Sequence, residues 1–142
     1  MILENLHSEN WKDLKSVVGI ADHVPDAVVK LLSEDADEVE AAYWKLENHV
    51  VVQGDLSESA AYLPKYLEEV LLNAKYKGSV IELLFQIGNG ISLDEELQKT
   101  CYSQVVEVFE RVINHSEIKG TKWESAIKED LQTLRELHEE NT

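Results

Sequence analysis

The chain has 142 residues, 44% apolar and 29% charged, enough to build a single domain over 1–142 with a core of its own. Asp and Glu number 28 against 13 Lys and Arg, a formal net charge of -15. Nucleic-acid binders draw much of their affinity from cations on phosphates, so direct DNA or RNA binding is not expected; the acidity either keeps the domain soluble or draws in a basic protein partner.

Residues 1–11 carry Glu4 and Glu9 and lack both a basic start and an apolar run, which reads against a signal peptide or membrane anchor. No segment approaches the ~20 apolar residues of a bilayer span, and the expected location is the cytoplasm. Ser8 is placed to cap a first helix whose core side is Trp11, Leu14, Val17 and Val18, ending at Gly19. A second helix covers about 25–32, with Pro25 in its first turn, where a missing N–H costs nothing. The third covers about 35–53. It opens with Asp35 and Glu38 at capping-box spacing, buries Val39, Ala42, Tyr43, Leu46 and Val50, and ends at Gln53-Gly54-Asp55, with Gly54 free to take a left-handed conformation.

A fourth helix, about 57–73, presents Leu63, Tyr66, Leu67, Val70 and Leu71 on one side and holds Pro64 in its first half, where a bend is expected. A short fifth helix over 77–87 closes at Gly88-Asn89-Gly90. The sixth, about 93–116, starts with Ser92 and Glu95 as a second capping box. It carries two apolar stripes, Leu97, Cys101, Val105, Val108, Val112 and Tyr102, Val106, Phe109, Ile113, as a helix between neighbours should. The last helix, about 121–140, has one stripe, Trp123, Ile127, Leu131 and Leu134, and a polar outer side suited to capping a stack. That single stripe argues against end-to-end assembly and favours a monomer, with a side-by-side dimer left open.

Leu31-Leu32, Leu71-Leu72 and Val112-Ile113 recur 40 and 41 residues apart, each followed by a polar turn and another apolar helix. This is the period of stacked helix pairs of the HEAT or armadillo kind, and it predicts an all-α fold of about seven helices in a short right-handed solenoid. Stacked repeats leave an extended face suited to gripping a macromolecule, so binding is expected rather than chemistry.

The run Ala41-Ala42-Tyr43-Trp44-Lys45-Leu46, then Gln53-Gly54, then Ala60-Ala61-Tyr62-Leu63-Pro64-Lys65-Tyr66-Leu67 resembles a family of small bacterial HEAT-like proteins. Such proteins are often found beside polymorphic or contact-dependent inhibition toxins, for which related helical repeats serve as immunity proteins. The resemblance covers the central third; Lys65-Tyr66 departs from the Phe that often follows the family's Pro. It implies a protein that binds a cognate toxin domain; the acidic charge makes the expected toxin a basic nuclease such as an RNase, neutralised by covering its active or substrate-binding surface. The alternative is a general HEAT-like adaptor with several partners and no inhibitory role.

Trp44 is read as a packing residue, because aromatics at helical spacing usually fill cores. Tyr62 falls outside the apolar stripe of its helix and is the candidate aromatic anchor. Glu34, Asp35, Asp37, Glu38 and Glu40 crowd one helix start; capping accounts for two or three of them, and a partner-binding role is open for the rest. Glu47, Asp55 and Glu58 complete the candidate acidic surface, while Asp94, Glu95 and Glu96 suit the positive end of the sixth helix.

Enzymatic signals are weak. His7, His23, His49, His115 and His138 are scattered, with no HExxH or CxxC set to hold a metal, and Gly88-Asn89-Gly90 lacks the Lys-Ser or Lys-Thr of a phosphate loop. Cys101, the single cysteine, lies in an apolar stripe where a thiolate is disfavoured. No catalytic role, cofactor or metal is expected, and the Asn114-His115-Ser116 sequon reads as a helix end.

Overall fold

Apolar periodicity yields six α-helices among the described residues, 2–14, 21–52 and 55–140 of a computed structural model. They are α1 (Val24–Lys30), α2 (Ala36–Val50), α3 (Pro64–Asn73), α4 (Lys77–Gly88), α5 (Glu95–Val112) and α6 (Lys122–Glu140). Strand is confined, among these residues, to an antiparallel pair, β1 (Val51–Val52) and β2 (Asp55–Leu56), with Val51 opposite Leu56. The fold class is all-α.

The helices pack as consecutive pairs, α1 on α2, α3 on α4 and α5 on α6. Between pairs, α1 meets α3 and α3 meets α5, while α2 meets α4 and α4 meets α6. Odd and even helices therefore form two rows, with α4 against α5 as a further seam between them. Leu31, Leu71 and Val112 close the odd helices and are buried, and Leu32, Leu72 and Ile113 after them are half-buried against the core.

The predicted stripe of α2, Val39 to Val50, is buried at all five of its positions. On α5, Cys101, Val105, Val108, Phe109 and Val112 are buried, and Leu97, Tyr102, Val106 and Ile113 are half-buried, consistent with a helix packed against α3, α4 and α6. Ile127, Leu131 and Leu134 of α6 face the core, with Trp123 at its margin.

The first expected helix is replaced, as far as the residues are described, by two 3-10 helices, Ile2–Ser8 and Trp11–Asp13, after which Leu14 is extended. Trp11 and Leu14 still enter the core; Val17, Val18 and Gly19 lie outside the described residues, as do Gln53 and Gly54. Tertiary hydrogen bonds set the path of this segment. The Leu3 amide donates to Glu69 Oε2 at 2.7 Å, and the buried Trp11 Nε1 donates to the Leu6 carbonyl at 2.7 Å. Glu9 accepts from Lys65 Nζ and Tyr66 Oη, each at 2.8 Å, tying the segment to α3.

Those two donors, Lys65 first, hold the Glu9 carboxyl below its ordinary value of 4.5. A depressed acid stabilises the fold above its unfolded pKa and loses that contribution as pH falls through the folded one. Glu9→Gln is therefore expected to lower the melting temperature at neutral pH and to match the wild type at acid pH, in paired thermal scans at the two pH values.

Two expected local devices take a different form. Pro64 opens α3 at its N-terminal position instead of bending a longer helix, because residues 58–62 form a separate 3-10 helix, Glu58–Tyr62, before it. The capping boxes resolve into simpler caps. Asp35 accepts from the Asp37 amide, while Glu38 accepts from Ser33 Oγ; Asp94, not Ser92, caps α5 through the amides of Glu96 and Leu97.

Gly88 ends α4 for reasons of space rather than dihedral freedom. A Cβ there would stand 2.9 Å from Val105 Cβ and Cγ1 on α5. Gly88→Ala is expected to cost about 1–3 kcal/mol by forcing α4 and α5 apart, read as a lower urea midpoint at unchanged slope.

Candidate functional site

At 100° per residue, the buried stripe of α2 leaves two flanks exposed. Glu38, Ala41 and Lys45 face α1, where they line a shallow cleft with Asp26 and Lys30. Glu40, Trp44 and Glu47 occupy the other flank, beside Tyr43 and toward α4. Trp44 is 50% exposed and meets the Tyr43 ring edge-on at 5.2 Å, so the packing role expected for it is wrong: it lies outside the stripe that α2 buries.

Tyr43 joins this flank to α4. Gln86 Nε2 donates to Tyr43 Oη at 2.8 Å and to Glu82 Oε1 at 3.1 Å. Burial raises the Tyr43 phenol above its ordinary value, and Glu82 and Glu47 push it the same way. Asp130 brings in α6. Its half-buried carboxyl is pushed up to about 6, by burial first and then by Glu82 and Glu129. Three even-numbered helices thus converge carboxylates on one side of the molecule, with an indole in water next to them.

A raised acid destabilises the fold as pH climbs from its unfolded value toward its folded one, because the native state resists losing the proton. A displacement from 3.8 to about 6 is worth about 3 kcal/mol in full, cut to about 1 kcal/mol by the water that still reaches the group. Asp130→Asn is expected to raise stability by that amount at pH 7 and to leave it unchanged near pH 4, measured by urea unfolding at both.

The nine candidate binding residues do not form one surface. Asp35 and Glu38 are engaged at the α2 start, where Glu34 and Asp37 are also exposed, and Glu40 lies beyond the first turn. Glu40 and Glu47 flank Trp44. Asp55 lies on β2, paired with Val52 and bridged to Ile91, and Glu58 opens the 3-10 helix that leads to α3. Tyr62 is exposed at 37%, edge-on to Trp11 at 6.2 Å, and lines a different cleft with Pro64, Lys65, Gln104, Glu107 and Arg111. Lys65 there is paired with Glu9, and Arg111 is held in a fork by Glu68. Sequence reasoning missed Trp44, Glu82, Gln86 and Asp130; the outward phase of Trp44 on the α2 stripe was the available signal.

Among the described residues no group of three His, Cys, Asp or Glu side chains is placed to hold a metal ion. Cys101 is fully buried, and burial pushes its thiol up to about 12, far from a nucleophile's range. No described helix is long and apolar enough to cross a membrane. No protein-family model matches the chain, and neither the curated proteins nor the solved structures contain a match to it.

Proposed function

We propose that this chain is a HEAT-like helical-repeat protein, a short right-handed solenoid, that acts in the cytoplasm as a monomeric immunity protein. It binds a cognate bacterial toxin domain, a basic nuclease such as an RNase, and neutralises it by covering the active or substrate-binding surface. The HEAT-like reading is supported by three helix pairs in two rows whose apolar markers recur 40 and 41 residues apart. The observation that carries the binding role is Trp44, half in water and flanked by carboxylates, on a chain of net charge -15.

An exposed indole next to acids is a disposition suited to a cation-rich partner: the ring supplies contact area and the carboxylates supply direction. The resemblance of residues 41–67 to toxin-associated HEAT-like proteins supplies the partner class. A nuclease must carry positive charge where it holds phosphates, and a carboxylate-rich surface fits the same groove. The action is stoichiometric, with no turnover. Protection of a cell from its own toxin calls for a Kd around nanomolar or below, about 12 kcal/mol.

Expression of the C-terminal domain of whichever open reading frame lies immediately upstream, alone and with this chain, tests the reading through growth and through RNA and DNA integrity. Toxicity relieved only by this chain supports it. Toxicity without relief, or none at all, moves the assignment to the adaptor alternative. In the purified pair, the association rate is expected to fall about tenfold or more between low and physiological salt. A salt-independent rate would remove electrostatic capture from the mechanism.

A further inference from the structure

The even-numbered row presents a face on which Glu40 and Glu82 are exposed, Trp44 is half in water, and Glu47 and Asp130 are half-buried. On α2, Glu40 and Glu47 stand on either side of the half-exposed Trp44; on α4, Glu82 is exposed and fixed by Gln86; on α6, Asp130 adds a half-buried carboxylate. Each acid comes from a different turn or helix, so helix capping does not account for the group, in contrast to the acids at the α2 and α5 starts. The influences on Asp130 from its neighbours are those of Glu82 and Glu129, both anionic. Gln86, by bonding both Tyr43 and Glu82, ties the α2 and α4 sides of the face together.

Resting on the reading that this chain binds a cationic protein, we propose that the outer face formed by Glu40, Trp44 and Glu47 of α2, Glu82 of α4 and Asp130 of α6 is its docking surface. The occupant is an arginine- and lysine-bearing segment of a partner protein. Charge complementarity identifies it: among the described residues no ion pair engages Glu40, Glu47, Glu82 or Asp130, and the indole of Trp44 accepts a guanidinium or the stem of a lysine over its ring. Anionic lipid headgroups and nucleic-acid phosphates carry the wrong sign for this face. The cleft at Tyr62 differs, because its two cations are already neutralised by Glu9 and Glu68.

The test compares two charge-matched variants of the full chain. One is Glu40→Gln/Glu47→Gln/Glu82→Gln; the other removes the same charge elsewhere, as Glu95→Gln/Glu96→Gln/Glu117→Gln, at exposed positions. Binding of a labelled Arg-Ala repeat peptide is followed by anisotropy at physiological salt, with circular dichroism melts to verify that each variant folds. The face variant and Trp44→Ala are each expected to bind about tenfold more weakly than wild type, and the control variant within about twofold. Equal weakening by both triple variants means generic attraction to an acidic chain and overturns the proposal, as does undiminished binding by the face variant or no binding by the wild type.

The same variants in the toxicity assay separate the two readings. A face variant that loses the peptide but still relieves toxicity rejects this surface and leaves neutralisation standing. A wild-type chain that relieves nothing rejects neutralisation whatever the peptide does.

Discussion

Replacing Lys77 with Met is expected to lower stability by about 2–4 kcal/mol, although it keeps the apolar stem of the side chain and removes only the ammonium end. Lys77 opens α4 and is only 8% exposed. Its ammonium donates to the Leu71 and Ala74 carbonyls at 2.8 Å and to Leu72 at 3.4 Å. Those are carbonyls at the end of α3, where the helix has no amides left to satisfy them and its dipole favours a cation. Burial pulls the ammonium below its ordinary value and Glu117 opposes that, so its place depends on the carbonyls it binds. Met would leave them without a donor. Urea unfolding is the measurement; an unchanged midpoint would mean that water takes over the three contacts.

Phe109→Ala is expected to cost about 3–5 kcal/mol and to lower the melting temperature by about 10–17 °C. The ring is completely buried on α5, the helix that packs against α3, α4 and α6, so the void opens where both rows meet. Trp44→Ala removes a larger ring and is expected to change stability by no more than about 0.5 kcal/mol, because half of that side chain is already in water. Thermal scans of the two variants side by side test the contrast. A large loss from Trp44→Ala would place its value in the core and weaken the case for its flank as a binding surface.

Helices α2, α4, α5 and α6 were legible because each carries enough apolar positions at helical spacing to override local ambiguity. The stripe Val39, Ala42, Tyr43, Leu46, Val50 has only one solution as a helix face. Short and tertiary-determined pieces were not legible. A two-residue strand pair offers no alternation to read, so Val51 and Val52 looked like the last turn of a helix. Leu63 and Pro64 fit either a bent helix or a fresh start, and the choice depends on residues 58–62 forming their own turn. Residues 2–14 follow hydrogen bonds to Glu69, Lys65 and Tyr66, at least 56 positions away in sequence, which local patterning cannot register.

The acidic surface was half legible. Counting carboxylates located the crowded start of α2, yet two acids there, Asp35 and Glu38, are engaged by the helix start itself, and the group around Trp44 draws on α4 and α6 as well. Its membership is a product of row packing, which sequence proximity does not encode. Trp44 was misplaced by composition alone; its phase on α2, one step beyond the buried Tyr43, was the better guide.

Cys101 gives the molecule an internal clock. It is the single thiol in the chain, has no exposed surface on α5, and is held protonated well past neutrality. A thiol reagent such as an aromatic disulfide therefore reacts with it only in molecules whose helix rows have parted, so at high reagent concentration the labelling rate counts openings. Because the fold supplies this reporter without engineering, the lifetime of the closed form can be timed in the native chain, with and without a bound partner.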